Sequence, residues 1–272
     1  MVLKRRIIQL VIFLALTVLT QIGGVIYLLA LLVCSAFSLR RWYARLLVFA
    51  VFYAAGTVSS NFVAPSFGRV PLPCFSGETD TLTVRSGLFC LLNRNYVTPS
   101  MRDLAMALAD AMNRKFPGTT TVVLDGNFPF VNGFPLLPHI SHSDGRKLDI
   151  AFYYQDADGN YIDQATRSPL GYFAFEQPTK GDEQPCAGRD DILTTRWELE
   201  WLQPAFGDYE LEEKRTAFAI QWLSGTGVER FNLEKIFIEP HLRDRLHVKG
   251  HAIRFQGCRA ARHDDHIHIQ VR

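Results

Sequence analysis

The chain has 272 residues, of which 48% are hydrophobic, and its 29 basic and 27 acidic side chains leave a formal net charge of +2. Six of the basic residues lie in the first 63, so the rest of the chain carries 23 basic and 27 acidic residues. This mildly acidic balance excludes a protein that binds nucleic acid through a large basic surface.

The first 63 residues indicate a membrane anchor. They contain no acidic side chain, and two apolar runs at 7–37 and 46–63 are separated by a basic stretch at 40–45. A bilayer span needs about 20 apolar residues, so the runs predict N-terminal transmembrane helices. The first run exceeds the roughly 7–15-residue apolar core of a cleaved signal peptide, and we expect it to be retained.

The orientation of this anchor stays open at the level of sequence. Basic clusters at 4–6 and 40–45 flank the first run on both sides, so the positive-inside rule does not choose between its ends. A bend near Gly23–Gly24 would keep both clusters on one side of the membrane. Each half of the run would then be short for a crossing.

The remaining chain predicts a linker with a disulfide loop at 64–99, followed by one domain at 100–272. Its helices and strands do not alternate regularly, which is typical of an α+β fold. The predicted elements are a helix over 100–114 that starts at a capping box, a strand over 119–124, a turn at 156–160, a helix over 212–223 and a strand over 233–238.

A histidine and an aspartate flank a glycine in the stretch 139–154. His142 and Asp149 are seven residues apart, with Gly145 between them. The apolar, aromatic-rich run that follows predicts a buried strand carrying Asp149, while His142 lies on a loop or strand end. Glycine adopts the backbone conformation that brings the two side chains together.

The C-terminal stretch 262–271 holds a second cluster, with three histidines and two aspartates between 263 and 268. His266 and His268 are two residues apart, and apolar residues alternate with them, which predicts a strand with one imidazole face. Adjacent imidazoles indicate metal ligation, because neutral imidazole is the commonest protein ligand of zinc. The alternative is a histidine-rich surface tract with incidental metal affinity.

Together the clusters can supply a histidine, an aspartate and a distant histidine as ligands. Catalytic zinc sites use three protein ligands and keep a fourth position for water. Asp264 and Asp265 are suited to accept the N–H of a ligating or neighbouring imidazole, which fixes its tautomer. The other three histidines are expected to be ordinary surface or helix-end residues: His241, His247 and His251.

The pattern His-x-x-Gly-x-x-x-Asp with a terminal His-x-His resembles the metallopeptidase group of D-Ala-D-Ala dipeptidases, lysostaphin-type endopeptidases and the hedgehog domain. It is most similar to the penicillin-insensitive murein endopeptidases. That family has a further histidine three before the first ligand, as His139 stands before His142, and another before the terminal pair, as His263 does. The resemblance covers about 103–272. The chain departs from the family pattern at Arg146, Lys147 and Glu239.

The resemblance implies a small antiparallel sheet with flanking helices that carries a Zn²⁺ site. It implies that His142, Asp149 and His268 bind zinc and that His266 acts beside it as a base. The chemistry agrees, since zinc makes water acidic and an imidazole can take its proton during attack on a peptide bond. The residues that then line the site are His139 and His263.

The leading hypothesis is therefore a membrane-anchored zinc metallopeptidase that hydrolyses peptide bonds of bacterial peptidoglycan. A D,D- or L,D-carboxypeptidase acting on cell-wall peptides is an alternative, because cleft length is not visible in the sequence. A second alternative is a zinc-stabilised binding domain without turnover. The presence of His266 favours an enzyme, because a binding domain needs no base beside the metal.

Cysteine usage predicts the compartment. Cys34 lies in the first apolar run, which leaves four cysteines without the spacing of a metal or redox motif. We predict two disulfides, which persist in oxidising compartments such as the periplasm. The domain is therefore expected on the periplasmic side of a bacterial inner membrane. The simplest pairings are Cys74–Cys90 and Cys186–Cys258.

Overall fold

The computed structural model describes residues 2–75, 77, 80–189 and 196–272. The α-helices are α1 (Val2–Thr20), α2 (Gly23–Ala36), α3 (Trp42–Val63), α4 (Gly87–Leu91), α5 (Pro99–Lys115), α6 (Glu213–Trp222), α7 (Val228–Phe231) and α8 (Pro240–Arg245). The strands are β1 (Val70–Pro71), β2 (Leu82–Val84), β3 (Tyr96–Val97), β4 (Thr121–Val123), β5 (Lys147–Ala151), β6 (Tyr154–Gln155), β7 (Glu210–Leu211), β8 (Leu233–Phe237), β9 (Ile253–Arg254) and β10 (His266–Val271).

The first apolar run is not one continuous helix. It divides into α1 and α2 at Gln21, whose φ is 64°, and the two helices pack against each other. Gly24 allows this close packing, because a Cβ atom at that position would lie 2.8 Å from the carbonyl oxygen of Phe13. A single span over 7–37 is therefore wrong, and the alternative with a bend in this region is what the structure contains.

In the described part of the chain, one helix is both long and apolar enough to cross a bilayer. It comprises α3 and the 3₁₀ turn that follows it, Trp42–Phe67, with a mean hydropathy of 1.7 over a window that is 11% buried. This low burial distinguishes it from the core helix of a soluble domain. Helix α2 is equally apolar but shorter, and α1 begins with basic residues.

The domain is mixed α and β, and its main sheet has six strands in the order β2-β4-β5-β10-β8-β9. The three central pairings are antiparallel, whereas β2–β4 and β8–β9 are parallel. The prediction of an antiparallel sheet is thus right at the centre and wrong at both edges. Strand β2 comes from the segment 64–99, for which the sequence predicts a linker.

Helix α5 covers this sheet with an apolar stripe. Its buried residues recur every three or four positions, as expected of an amphipathic helix. The helix begins at Pro99, one residue before the predicted start, because the Thr98 side chain accepts the N–H of Met101 and Pro99 occupies the first turn. The stripe consists of Met101, Leu104, Ala105, Leu108, Ala109 and Met112.

Both predicted disulfides, Cys74–Cys90 and Cys186–Cys258, are present, and Cys34 is a buried free thiol. The domain also contacts the helical bundle through hydrogen bonds. Tyr53 on α3 donates to the carbonyl of Leu91 over 2.6 Å. These bonds attach the domain to the membrane-proximal helices.

Candidate metal centre

Six buried or nearly buried side chains gather where β5, β10 and the loop before β5 meet. They form two groups whose ligand atoms lie within 4.8 Å of one another. Such a concentration of imidazole and carboxylate in a core requires a reason, because buried polar groups cost free energy unless they are paired or bind a metal. The first group is His139, His142 and Asp149, and the second is His263, His266 and His268.

Strand register brings the predicted ligands together. In the antiparallel pair β5–β10, His268 lies directly opposite Asp149, so the two side chains leave the same face of the sheet. His142 reaches them from the loop through a turn at Gly145, whose φ is +76°. This positive φ agrees with the turn predicted at Gly145. The Arg69 side chain also occupies the space that a Cβ atom at this position would fill.

Three atoms of these side chains have spacings that suit a tetrahedral metal ion. His268 Nδ1 lies 2.8 Å from Asp149 Oδ1 and 3.2 Å from His142 Nε2, and the third edge, from His142 Nε2 to Asp149 Oδ1, is 3.4 Å. Ligands about 2.0–2.1 Å from a tetrahedral ion lie about 3.3 Å from one another. The donor set and spacing therefore fit a metal ion.

In two of the ligands, the atom that is not part of the triangle already makes a hydrogen bond. The atom that is part of the triangle is therefore free to bind a metal ion. His142 Nδ1 donates to the carbonyl of Gly126 over 2.8 Å, so Nε2 carries the lone pair. The Tyr172 hydroxyl donates to Asp149 Oδ2 over 2.7 Å and leaves Oδ1 for the metal. Such partners orient ligands and are typical of metal sites.

The electrostatics of two ligands favour the protonation states that metal binding needs. Burial lowers the pKa of His268 to about 4, so this ring is neutral near pH 7. Burial opposes ionisation of Asp149, but the neighbouring His142 and His266 hold its pKa well below the usual range. At His142 burial lowers the pKa but Asp149 raises it, so at this ring a proton competes with a metal ion.

His266 has the surroundings of a general base. Its Nδ1 contacts Asp265 Oδ1, and its Nε2 lies 3.6 Å from Asp149 Oδ1, at the edge of the ligand triangle. Burial lowers the pKa of His266, but the two carboxylates outweigh burial and raise it to about 9. A cation held by Asp149 would offset one of these charges and so favour the neutral ring that a base requires.

The predicted site residues His139 and His263 lie on either side of His266. His139 Nδ1 lies 3.0 Å from Asp125 Oδ2 and 3.3 Å from Asp149 Oδ2. The ring of His263 packs 5.1 Å from that of His266, and burial holds its pKa well below the usual range. Both line the site, as the resemblance implies.

A comparison of the sequence with protein-family models and with curated proteins finds no match. The assignment of the site therefore depends on its own geometry and chemistry.

Two predicted roles near the site are corrected by the structure. Asp264 does not contact an imidazole of the cluster but accepts a hydrogen bond from Arg262 Nε over 3.0 Å. Burial raises the pKa of Asp264 to about 7 although Arg262 opposes this. His241 lies at a helix end, as one of its two predicted alternatives has it, but it is buried and its Nε2 donates to the carbonyl of Glu176. Asp265 has the predicted role.

Several residues of the site carried no signal in the sequence. Tyr172 lies in a loop without a recognisable motif, yet it contacts Asp149 and also accepts the backbone N–H of Asp125. The Asp125 carboxylate contacts His139 Nδ1 and accepts hydrogen bonds from two nitrogens of Arg94, over 2.6 and 2.7 Å. Only the fold brings these positions together, because they come from three separate loops.

A polar cavity of about 780 Å³ lies beside the histidine cluster. Glu239 and Asp264, which flank His263 in the fold, form part of its wall. Glu239 is paired with Arg196 at 2.9 Å, and Trp201 is largely exposed at the rim. None of the six clustered side chains is among the described residues that line this cavity, which adjoins the cluster through the contact of Glu239 with the backbone N–H of His263.

Proposed function

We propose that this chain is a membrane-anchored zinc peptidase that hydrolyses peptide bonds of bacterial peptidoglycan, in the manner of the murein endopeptidases it resembles. The observation that carries the proposal is the triangle of His142 Nε2, Asp149 Oδ1 and His268 Nδ1 beside the His266–Asp265 pair. Three ligands with an adjacent base are the requirements of metal-assisted hydrolysis.

The residues of the chain have distinct roles in this reaction. Zinc, when bound, supplies a Lewis acid that polarises the peptide carbonyl and makes water reactive near neutral pH. Asp265 accepts a hydrogen bond from the Nδ1–H of His266 and so leaves Nε2 free to take a proton from the attacking water. The same carboxylate stabilises the imidazolium, which returns its proton to the leaving amine.

The adjacent cavity offers space for a peptide beside the metal centre. The walls at Glu239 and Trp201 provide a region where a peptide chain can lie. Both the endopeptidase and the carboxypeptidase forms of the proposal need such a region on one side of the metal, and an endopeptidase needs a further one on the other side. Substrate on this side contacts Arg196 and Arg262, which are both paired with carboxylates.

The bend between α1 and α2 supports a periplasmic domain on an inner-membrane anchor. Lys4, Arg5 and Arg45 line one cavity, so both basic clusters lie at the same end of the bundle. The positive-inside rule then places this end in the cytoplasm, with α1, α2 and α3 in the membrane. Residues 20–21 and the end of α3 face the domain, which lies outside with its two disulfides.

The proposal is tested by incubating the purified full-length chain with muropeptides and analysing the products by mass. We expect new peptide termini within cross-linked muropeptides, their loss on treatment with a chelator, and their return when zinc is added back. His251→Ala, at an exposed position, serves as the control and should behave like the wild type. Products that form equally with the chelator would remove the metal from the reaction.

A further inference from the structure

The helical hairpin of α1 and α2 is too short to cross the hydrocarbon layer of a bilayer. The 14 residues of α2 rise about 21 Å, against a hydrocarbon thickness of about 30 Å. When the basic ends of α1 and α2 lie at one boundary of the hydrocarbon layer, the turn at Gln21 lies inside the layer, about 9 Å from its opposite boundary. The part of the domain that packs on this turn therefore lies at the same depth.

That part of the domain is the loop 128–140. The Gln21 side-chain oxygen accepts the backbone N–H of Phe130 over 2.9 Å and that of Val131 over 3.4 Å. The Phe130 ring packs on Phe67, at the end of the membrane-spanning helix, with 5.1 Å between ring centroids. The loop is thus joined to two of the helices at the level of the turn.

The loop has the composition of a membrane-immersed segment. Residues 128–140 contain no acidic or basic side chain apart from His139, although they lie on the surface of a domain. Val131 is 55% exposed, Leu137 47% and Ile140 59%. Single exposed apolar residues are ordinary, but these three lie on a loop whose Phe130 packs on Phe67, a partly exposed residue at the end of the membrane-spanning helix.

We propose that the loop 128–140 is immersed in the outer leaflet of the bilayer and that lipid covers Val131, Leu137 and Ile140. This inference rests on the membrane placement given under Proposed function. His139 lies between Leu137 and Ile140 in the chain, so the edge of the metal centre that His139 forms lies close to the bilayer, at the lipid boundary.

Spin-label accessibility tests the proposal in the full-length chain. Single cysteines are introduced as Leu137→Cys, Ile140→Cys or Tyr209→Cys in a Cys34→Ser background and labelled with a nitroxide. The protein is reconstituted into vesicles of phosphatidylethanolamine and phosphatidylglycerol. Collisions with oxygen, which concentrates in lipid, are then compared with collisions with a water-soluble nickel complex. Leu32→Cys on α2 reports separately whether the hairpin is in the membrane.

We expect labels at 137 and 140 to favour oxygen over the nickel complex, as the label at 32 does, and the control at 209 to favour nickel. A label at 32 in lipid with labels at 137 and 140 in water would overturn the immersed loop but leave the anchor intact. Labels at 137 and 140 shielded from both reagents would point to a protein contact instead and overturn the lipid contact. Val131→Cys gives an independent position if a variant fails to fold, and none of these readouts depends on peptidase activity.

Discussion

At the level of single residues, the chemistry depends on which nitrogen of each ring faces the centre. The carbonyl of Gly126 accepts a hydrogen bond from one ring nitrogen of His142, and Asp265 accepts one from a ring nitrogen of His266. Each ring then directs its other nitrogen into the site, either as a ligand or as a proton acceptor. Partners outside the ligand triangle thus decide the roles of the rings.

This arrangement predicts that His266→Ala keeps the metal but loses turnover. Removal of a positioned general base lowers kcat by roughly 10²–10⁴, while the three ligands are untouched. Metal content by elemental analysis and kcat on a muropeptide are measured on the same preparation. Wild-type turnover with normal metal content would transfer the role of base to another group, and His263 is the nearest candidate.

Tyr172→Phe is predicted to weaken metal binding, because it removes the hydroxyl that holds Asp149 Oδ2. Loss of such an orienting partner lowers metal affinity by about 10–100-fold. The measurement is a competition titration with a chromophoric chelator. Tyr161→Phe is the matched control, since its hydroxyl bonds Asp163 away from the site. Equal affinities in the two variants would show that the Tyr172 hydroxyl does not tune the metal.

The ligands can be predicted from the sequence, whereas their partners cannot. Two clusters of histidine and aspartate are visible in the sequence, and the resemblance to a known family selects His142, Asp149 and His268 from them as candidate ligands. Tyr172 and Arg94 are ordinary residue types in irregular loops. Their roles arise from contacts across 23 and 31 positions of the chain. No local pattern encodes such contacts.

At the level of secondary structure, β10 shows what alternation in a sequence can and cannot predict. The alternation over 266–271 correctly indicates a strand, and its imidazoles do share a face. The apolar residues between them are buried as well, because β10 is a central strand whose other face belongs to the hydrophobic core. Pairing partners and the parallel edges of the sheet depend on tertiary packing, which periodicity does not contain.

The turn before β5 gives a prediction at this scale. Gly145→Ala is expected to cost more stability than Gly118→Ala, although both glycines have positive φ, of +76° and +80°. A side chain at positive φ costs about 1–2 kcal/mol in either case. At Gly145 the new Cβ atom would also displace the Arg69 guanidinium, whereas the space at Gly118 is open.

Chemical denaturation of the two variants measures this difference in the free energy of unfolding. Equal losses would show that Arg69 yields without cost and that only the backbone conformation matters at Gly145. The metal affinity of Gly145→Ala is expected to fall as well, because the same turn positions His142.

At the level of the whole molecule, the bundle and the domain form a connected unit. The bend in the first apolar run is one of two alternatives that the sequence leaves open, because Gln21 and Ile22 are not helix breakers. What fixes it is the packing of α2 on α1 through small residues, together with the hydrogen bonds from the domain to Gln21. These are tertiary contacts.

Thiol labelling of the unreduced, denatured full-length chain is predicted to find one free thiol, at Cys34, among five cysteines. The other four are in disulfides, which persist in an oxidising compartment. Cys34→Ser should then show none. Five reactive thiols in the wild type would place the domain in a reducing compartment and contradict the cell-wall substrate.

The central claim is that residues up to 126 positions apart, His142, Asp149 and His268, hold one zinc ion. Elemental analysis of the purified full-length chain and of three variants tests it most directly. We predict one zinc per chain in the wild type and in His251→Ala, and its loss in His142→Ala, Asp149→Ala and His268→Ala, because a three-ligand site that loses one ligand loses most of its affinity. Full zinc content in any of these three variants, with the fold intact, would contradict the claim.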